Sequence, residues 1–188
     1  VTAAEILKLL VQAVGPAGID YAVGGGAAVN AHGVARYTAD VDAFFRPGDR
    51  GRVLKTLREA GFQVDRVFAP HHYIALPPGA SGVKERVDVL FAEDEPEASA
   101  IDHPVQKTLW GTNAPTFPVE LLVMAKFYAN QPLDLWDIQA LHDAGAFEPA
   151  TVRALLAIVD PDAVKEFDEI ARLLVESRKP RKRPSKRQ

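Results

Sequence analysis

Residues 21–45, YAVGGGAAVNAHGVARYTADVDAFF, leave this chain few ways to fold. Tyr21-Ala22-Val23 reads as a short strand that runs into Gly24-Gly25-Gly26. Glycines allow backbone conformations closed to other residues, so the chain can turn there at once. Ala27 to His32 suits a short helix, and Gly33 can close it. Asp40 to Phe45 alternates as a strand does. Asp40 and Asp42, two apart, then leave the same face, with Cβ atoms roughly 6–7 Å apart. Val41 and Ala43 point the other way, toward a core. Thirteen residues separate Gly26 from Asp40, room for a short helix and its return. The carboxylate pair therefore comes back beside the glycine turn.

Two such carboxylates can hold one divalent cation or bridge two. Hard oxygen ligands suit Mg²⁺ or Mn²⁺ rather than zinc. A glycine turn lets the backbone approach a phosphate. A third carboxylate is expected at Asp88, in the run Arg86-Val87-Asp88-Val89-Leu90. A lone Asp in an apolar strand is costly to bury unless it is paired or binds a cation. Taken singly, each feature has a plain explanation: a solvated Asp pair, a simple turn, an exposed strand residue. Their joint order and spacing favour a site for phosphoryl or nucleotidyl transfer. It is not a Walker loop, because no Gly-Lys-Ser/Thr follows.

The rest of the chain separates into strands first and helices after. Thr2 and Glu5 form a capping-box pattern ahead of a helix over 3–14. A second helix is expected over about 50–60, then strands over 62–68, 72–76 and 86–91. Residues 92–117, punctuated by Pro96, Pro104 and Pro115, are expected to be irregular. Helices follow over 119–129, 134–143, 149–158 and 162–176. This order argues for α+β and against a doubly wound parallel sheet. It divides the chain into an α/β core (1–117), a helical region (118–177) and a tail (178–188). The 119–129 helix is apolar nearly all round along LLVMAKFYA, with Lys126 its one cation there. A buried ammonium needs a partner, a phosphate or a carboxylate, unless its stem snorkels outward. Asp134 and Asp137 share a helix face and either could orient it. Asp134 also suits a helix N-terminus by charge alone. His32 is expected to pack or cap the short helix.

The formal charge of −3 hides a division. The tail RKPRKRPSKRQ holds seven Lys or Arg, leaving 15 basic against 25 acidic residues over 1–177. Such a tail is expected to be disordered and could attract a polyanion without selecting sequence. There is no cysteine, which excludes thiolate metal sites and cysteine nucleophiles. The five histidines show no HExxH spacing. No apolar run approaches the ~18 residues of a membrane span. Glu5 and Lys8 interrupt the N-terminal apolar run, which does not suit a signal peptide. A cytoplasmic protein is expected, with native residues upstream of Val1.

The constellation Gly25-Gly26, Asp40-x-Asp42 and Asp88 resembles the nucleotidyltransferases of the DNA polymerase beta-like superfamily. More narrowly, the run His32, Gly33, Arg36, Thr38, Asp40, Asp42 looks like the AbiEii-type and MenT-like toxin branch. Lys126, Asp134 and Asp137 resemble that branch's later Lys and Asp positions, although Leu133 stands where a basic residue is usual. The resemblance implies a mixed nucleotidyltransferase-type sheet with flanking helices and a small C-terminal helical bundle. It implies transfer of a nucleoside monophosphate from an NTP to an acceptor, in the toxin branch typically transfer RNA, with a separate antitoxin protein. Asp40, Asp42 and Asp88 would be metal ligands for Mg²⁺ or Mn²⁺, Asp88 also the base. Gly25, Gly26, Arg36, Thr38, Lys126 and Asp137 would line the nucleotide, with Lys126 also counted as catalytic. Thr38 could be a regulatory phosphorylation position, against a hydroxyl that merely bonds local backbone. Two rival readings stay open: an antibiotic-modifying small-molecule nucleotidyltransferase, and a non-catalytic partner-binding or antitoxin member.

Overall fold

The computed structural model describes residues 1–66 and 71–177. The basic tail and the end of the expected 62–68 strand lie outside the described residues. Helix α1, Ala3–Val14, opens with the expected capping box: Glu5 N–H donates to Thr2 Oγ1 at 3.3 Å, and Thr2 N–H to the Glu5 carboxylate at 2.7 Å. Its apolar positions Ile6, Leu7, Leu10 and Val14 are fully buried. Strand β1 (Tyr21–Val23), helix α2 (Gly25–Ala31) and strand β2 (Val41–Phe45) realise the strand, turn, helix and strand read from the sequence. α2 begins inside the glycine triplet rather than after it.

Helix α3 (Arg50–Glu59) leads to strands β3 (Gln63–Arg66), β4 (His72–Leu76) and β5 (Val87–Phe91). The stretch 92–117, expected to be irregular, is ordered. Helix α4 (Glu95–Asp102) is capped by Asp94, whose carboxylate accepts from Glu97 N–H, and Pro96 sits in its first turn, where a missing N–H costs nothing. Strands β6 (Val105–Leu109) and β7 (Thr112–Thr116) form a hairpin closed by Trp110 and Gly111, both in the left-handed region at φ 50° and 79°. β7 tolerates Pro115 because it pairs with β1 only through Val23 and Thr116.

The seven strands form one mixed sheet in the order β3-β4-β5-β2-β1-β7-β6. β1 runs antiparallel to β2, and β5 parallel to it, with Asp42 opposite Asp88. Helices α1 and α3 cover one face, over Val41, Ala43, Phe45, Val87, Val89 and Phe91. The other face meets α2 and α4, on which α5 (Val119–Ala129) packs, with α6 (Pro132–Asp143) and α7 (Pro149–Val159) against α5 and α8 (Val164–Ser177) against α7. Strand alternation sends Asp42 and Asp88 toward this second layer. Among the described residues no helix is long and apolar enough to cross a membrane.

Candidate active site

The parallel register of β2 and β5 sets Asp42 and Asp88 side by side on one face, about 4.8 Å apart along the hydrogen-bonding direction. Asp40 stands just before β2, at its lip. Its Oδ1 accepts the Thr38 hydroxyl at 2.7 Å, so Thr38 orients a carboxylate as well as touching local backbone. Asp88 is buried and heavily engaged. Its Oδ1 lies 2.7 Å from His72 Nε2 and accepts from Arg86 Nε at 3.0 Å, and its Oδ2 accepts from Arg86 Nε at 2.8 Å. Asp42 has no side-chain hydrogen bond or ion pair among the described residues. Burial first, then Asp88 and Asp40, push its pKa up to about 7.

An unpartnered carboxylate, half-buried and repelled by its neighbours, is the arrangement that a divalent cation relieves. Asp40 and Asp42 therefore fit Mg²⁺ or Mn²⁺ in donor chemistry. Asp88 fits less well, because Arg86 and His72 already take its oxygens. Consistently, no three carboxylate or imidazole groups among the described residues stand placed to hold one ion.

The raised carboxyls have a consequence for stability. Glu97 is also pushed up to about 7, chiefly by burial. Between about pH 4 and 7 the folded chain keeps protons on Asp42 and Glu97 that the unfolded chain has lost. These two groups therefore make the metal-free protein less stable as pH rises through that window. Urea unfolding at a series of pH values is expected to show a share of this decline that Asp42→Asn and Glu97→Gln each remove.

The glycine triplet is specific residue by residue. Gly24 N–H donates to Asp42 O at 2.9 Å, and a Cβ on Gly24 would strike the Phe44 ring. Gly25 has φ +53°, and a Cβ there would overlap the Asp42 carboxylate. A Cβ on Gly26 would overlap the Arg36 guanidinium, the movable end of a long side chain. Gly25→Ala is therefore expected to be the severe change. It combines a backbone strain of ~1–3 kcal/mol with displacement of Asp42. Its thermal midpoint and its Mn²⁺ affinity should both fall, and both should fall further than in Gly26→Ala.

The loop after α2 is held by Asn30, whose Nδ2 donates to Gly26 O at 3.0 Å and Arg36 O at 2.8 Å. It brings Arg36 over the turn and into an ion pair with Asp137, Nε to Oδ1 at 3.0 Å. Lys126, buried as its apolar helix requires, lies 2.6 Å from Asp137 Oδ2 and donates to Asp134 Oδ1 at 2.9 Å. Asp134 also accepts from Gln131 N–H at 3.2 Å, capping α6. The result is a chain of charges, Arg36–Asp137–Lys126–Asp134, that ties the glycine turn to α5 and α6. Asp137, almost fully buried, is the shared anion that contacts both cations of this chain. His32 caps α2 as expected, with Nε2 at 2.8 Å from Phe117 O, and burial lowers its pKa.

The structure thus gathers Gly25, Gly26, Arg36, Thr38, Asp40, Asp42, Asp88, Lys126 and Asp137 into one neighbourhood. It adds Arg86, His72 and Asn30, which sequence reasoning did not single out. Arg86, two before Asp88 and just ahead of β5, was the one legible signal. Exposed Tyr37 and Trp110 border a shallow depression of about 270 Å³ shared with Arg36 and Thr38. A larger cavity of about 650 Å³ lies beyond the other ends of β2 and β5, around Arg46, Glu93 and Asp102, away from the carboxylates.

No family model and no curated protein matches the chain. Solved structures do. The antibiotic-resistance factor ANT(2'')-Ia in complex with adenylyl-2''-tobramycin is similar at 14% identity, covering 93% of this chain and 97% of that one, with TM-score 0.57. The lincosamide antibiotic adenylyltransferase LnuA, lincomycin-bound, is similar at 13% identity over 75% of this chain and 97% of that one, TM-score 0.55. An antigenic nucleotidyltransferase-like protein from Paracoccidioides brasiliensis is similar at 20% identity over 88% and 92%, TM-score 0.55. At these identities the likeness shows the fold, which is that of nucleotidyltransferases.

Proposed function

We propose that this chain is a metal-dependent nucleotidyltransferase, moving a nucleoside monophosphate from an NTP to a hydroxyl acceptor. The observation that carries the reading is the contact of Gly25 with the unpartnered Asp42 carboxylate: phosphate-permissive backbone and cation ligand share one spot. The triphosphate would lie along Gly25 and Gly26. Arg36 and Lys126 would supply positive charge to it, with Asp137 holding both cations in place until phosphate arrives. A divalent cation held by Asp40 and Asp42 would polarise the phosphates and favour departure of pyrophosphate. The acceptor oxygen forms a bond to the α-phosphorus as the bond to the β-phosphate oxygen breaks, and Asp88 would take the hydroxyl proton.

For the acceptor we take RNA, in particular transfer RNA, with the chain acting in the cytoplasm as a toxin restrained by an antitoxin protein. The basic run 178–188 supports this reading, since seven cations beside an acidic body can recruit a polyanion. A small-molecule antibiotic acceptor is the second reading, favoured by likeness in fold to two antibiotic adenylyltransferases. A non-catalytic role is disfavoured by the intact Asp40, Asp42 and Asp88. The test supplies each labelled NTP with Mg²⁺ and either total RNA or a panel of aminoglycosides and lincosamides. Label in transfer RNA, lost in Asp42→Ala, is the expected result. Label only in an antibiotic would replace the first acceptor reading with the second.

A further inference from the structure

The proposed nucleotidyl-transfer site contains a cation of its own. We infer that Arg86 occupies, in place of a second divalent ion, the position between Asp88 and Asp40, so that this chain binds one divalent cation where three carboxylates would allow two. The inference rests on the metal-dependent reading above and concerns only the chain's own residues.

Arg86 Nε donates to both oxygens of Asp88, at 2.8 and 3.0 Å. Its Nη2 lies 3.7 Å from Asp40 Oδ2. Its Nη1 donates to Val83 O at 2.9 Å, which anchors the guanidinium from the loop side. The group is therefore held from three directions, by the loop before β5, by the strand itself and by the lip of β2. His72, on β4, closes the remaining side of Asp88 Oδ1 at 2.7 Å. A carboxylate offers about four lone-pair sites, and three polar contacts already fall on this one. Hydrogen bonds between ionised groups are the strong ones, and Asp88 is buried enough for its bonds to escape most solvent screening.

Charge balance leads to the same count. With all three carboxylates ionised around a bound cation, Asp40, Asp42 and Asp88 carry three negative charges and Arg86 one positive. One Mg²⁺ or Mn²⁺ balances the two negative charges that remain. A second ion on Asp88 would meet the guanidinium at close range, with like charge, and both oxygens of Asp88 already accept from Arg86. Asp42, by contrast, has no cation in contact among the described residues. The open position is at Asp40 and Asp42, and Asp88 is left to orient and receive a proton. Arg86 is thus a positioning residue, acting through Asp88 and Asp40.

The test counts Mn²⁺ bound per full-length chain, without nucleotide, from the electron paramagnetic resonance of free Mn²⁺ during titration to millimolar concentration. The wild type is expected to saturate at one ion, removed by Asp42→Asn. Arg86→Gln, which frees Asp88, is expected to saturate at two, and Arg86→Lys, which keeps the charge, at one. Near-UV circular dichroism checks that each variant is folded. If Arg86→Gln does not fold, the wild-type and Arg86→Lys counts decide. Two ions in the wild type, or one in folded Arg86→Gln, would overturn the assignment while leaving the metal-dependent reading intact. No ion sensitive to Asp42→Asn would overturn that reading, and the assignment with it.

Discussion

Asp42→Asn is expected to lower nucleotidyl transfer by on the order of a thousandfold while making the metal-free protein more stable at neutral pH. The first effect follows from loss of a cation ligand. A bound metal supplies several kcal/mol of charge stabilisation in the transition state, and ~1.4 kcal/mol corresponds to tenfold in rate. The second follows from the raised pKa. Above about pH 7 the wild type must keep an unpartnered negative charge beside Asp88 and Asp40, and the amide removes it. The opposed signs separate a functional carboxylate from a structural one, whose loss would lower stability. Steady-state rates and urea midpoints on the same preparations measure both. A variant less stable than wild type, with transfer intact, would mean that Asp42 serves the fold.

Lys126→Met is expected to destabilise the protein by about 3 kcal/mol, the lower end for breaking one partner of a buried pair. The ammonium is almost fully buried and neutralises Asp134 and Asp137, the latter 2% exposed at its side chain. Methionine matches the length of the stem but leaves Asp134 without a paired cation among the described residues and Asp137 with Arg36. The loss should depend on its partner. In a double-mutant cycle with Asp137→Asn, the pair should cost less than the sum of the single changes by ~1–3 kcal/mol. Additive losses would show that Lys126 and Asp137 are neighbours without coupling. Transfer should fall as well, since the same cation acts electrostatically on Asp42.

The part of the fold that carries the proposed chemistry was legible because its residues are specialised. Three glycines followed by an alternating strand admit little besides a turn and a return, and that is what β1, α2 and β2 form. The capping box at Thr2 and Glu5 is likewise a local code, and it holds. Lys126 was legible as a buried cation in need of a partner because its helix is apolar on every side, and Asp134 and Asp137 answer it. The stretch 92–117 was misread for a physical reason. Its prolines look like breakers, yet Pro96 lies in a first helical turn and Pro115 in a strand that scarcely pairs on one side. The β6–β7 turn gave no warning either. Trp110 stands where Asn or Asp would announce a hairpin. Arg86 and His72 were missed because they act from neighbouring positions and another strand onto Asp88, and pairing across a sheet depends on register, which a single sequence leaves open.

The most direct measurement incubates the purified chain with Mg²⁺, total RNA and the antibiotic panel, comparing NTPs labelled with ³²P at the α position with those labelled at the γ position. The expected result is α-label bound covalently to an acceptor, γ-label released only as pyrophosphate, and neither event in Asp42→Asn. Transfer of γ-label to an acceptor, or no Mg²⁺-dependent binding of any NTP, would contradict nucleotidyl transfer at this site.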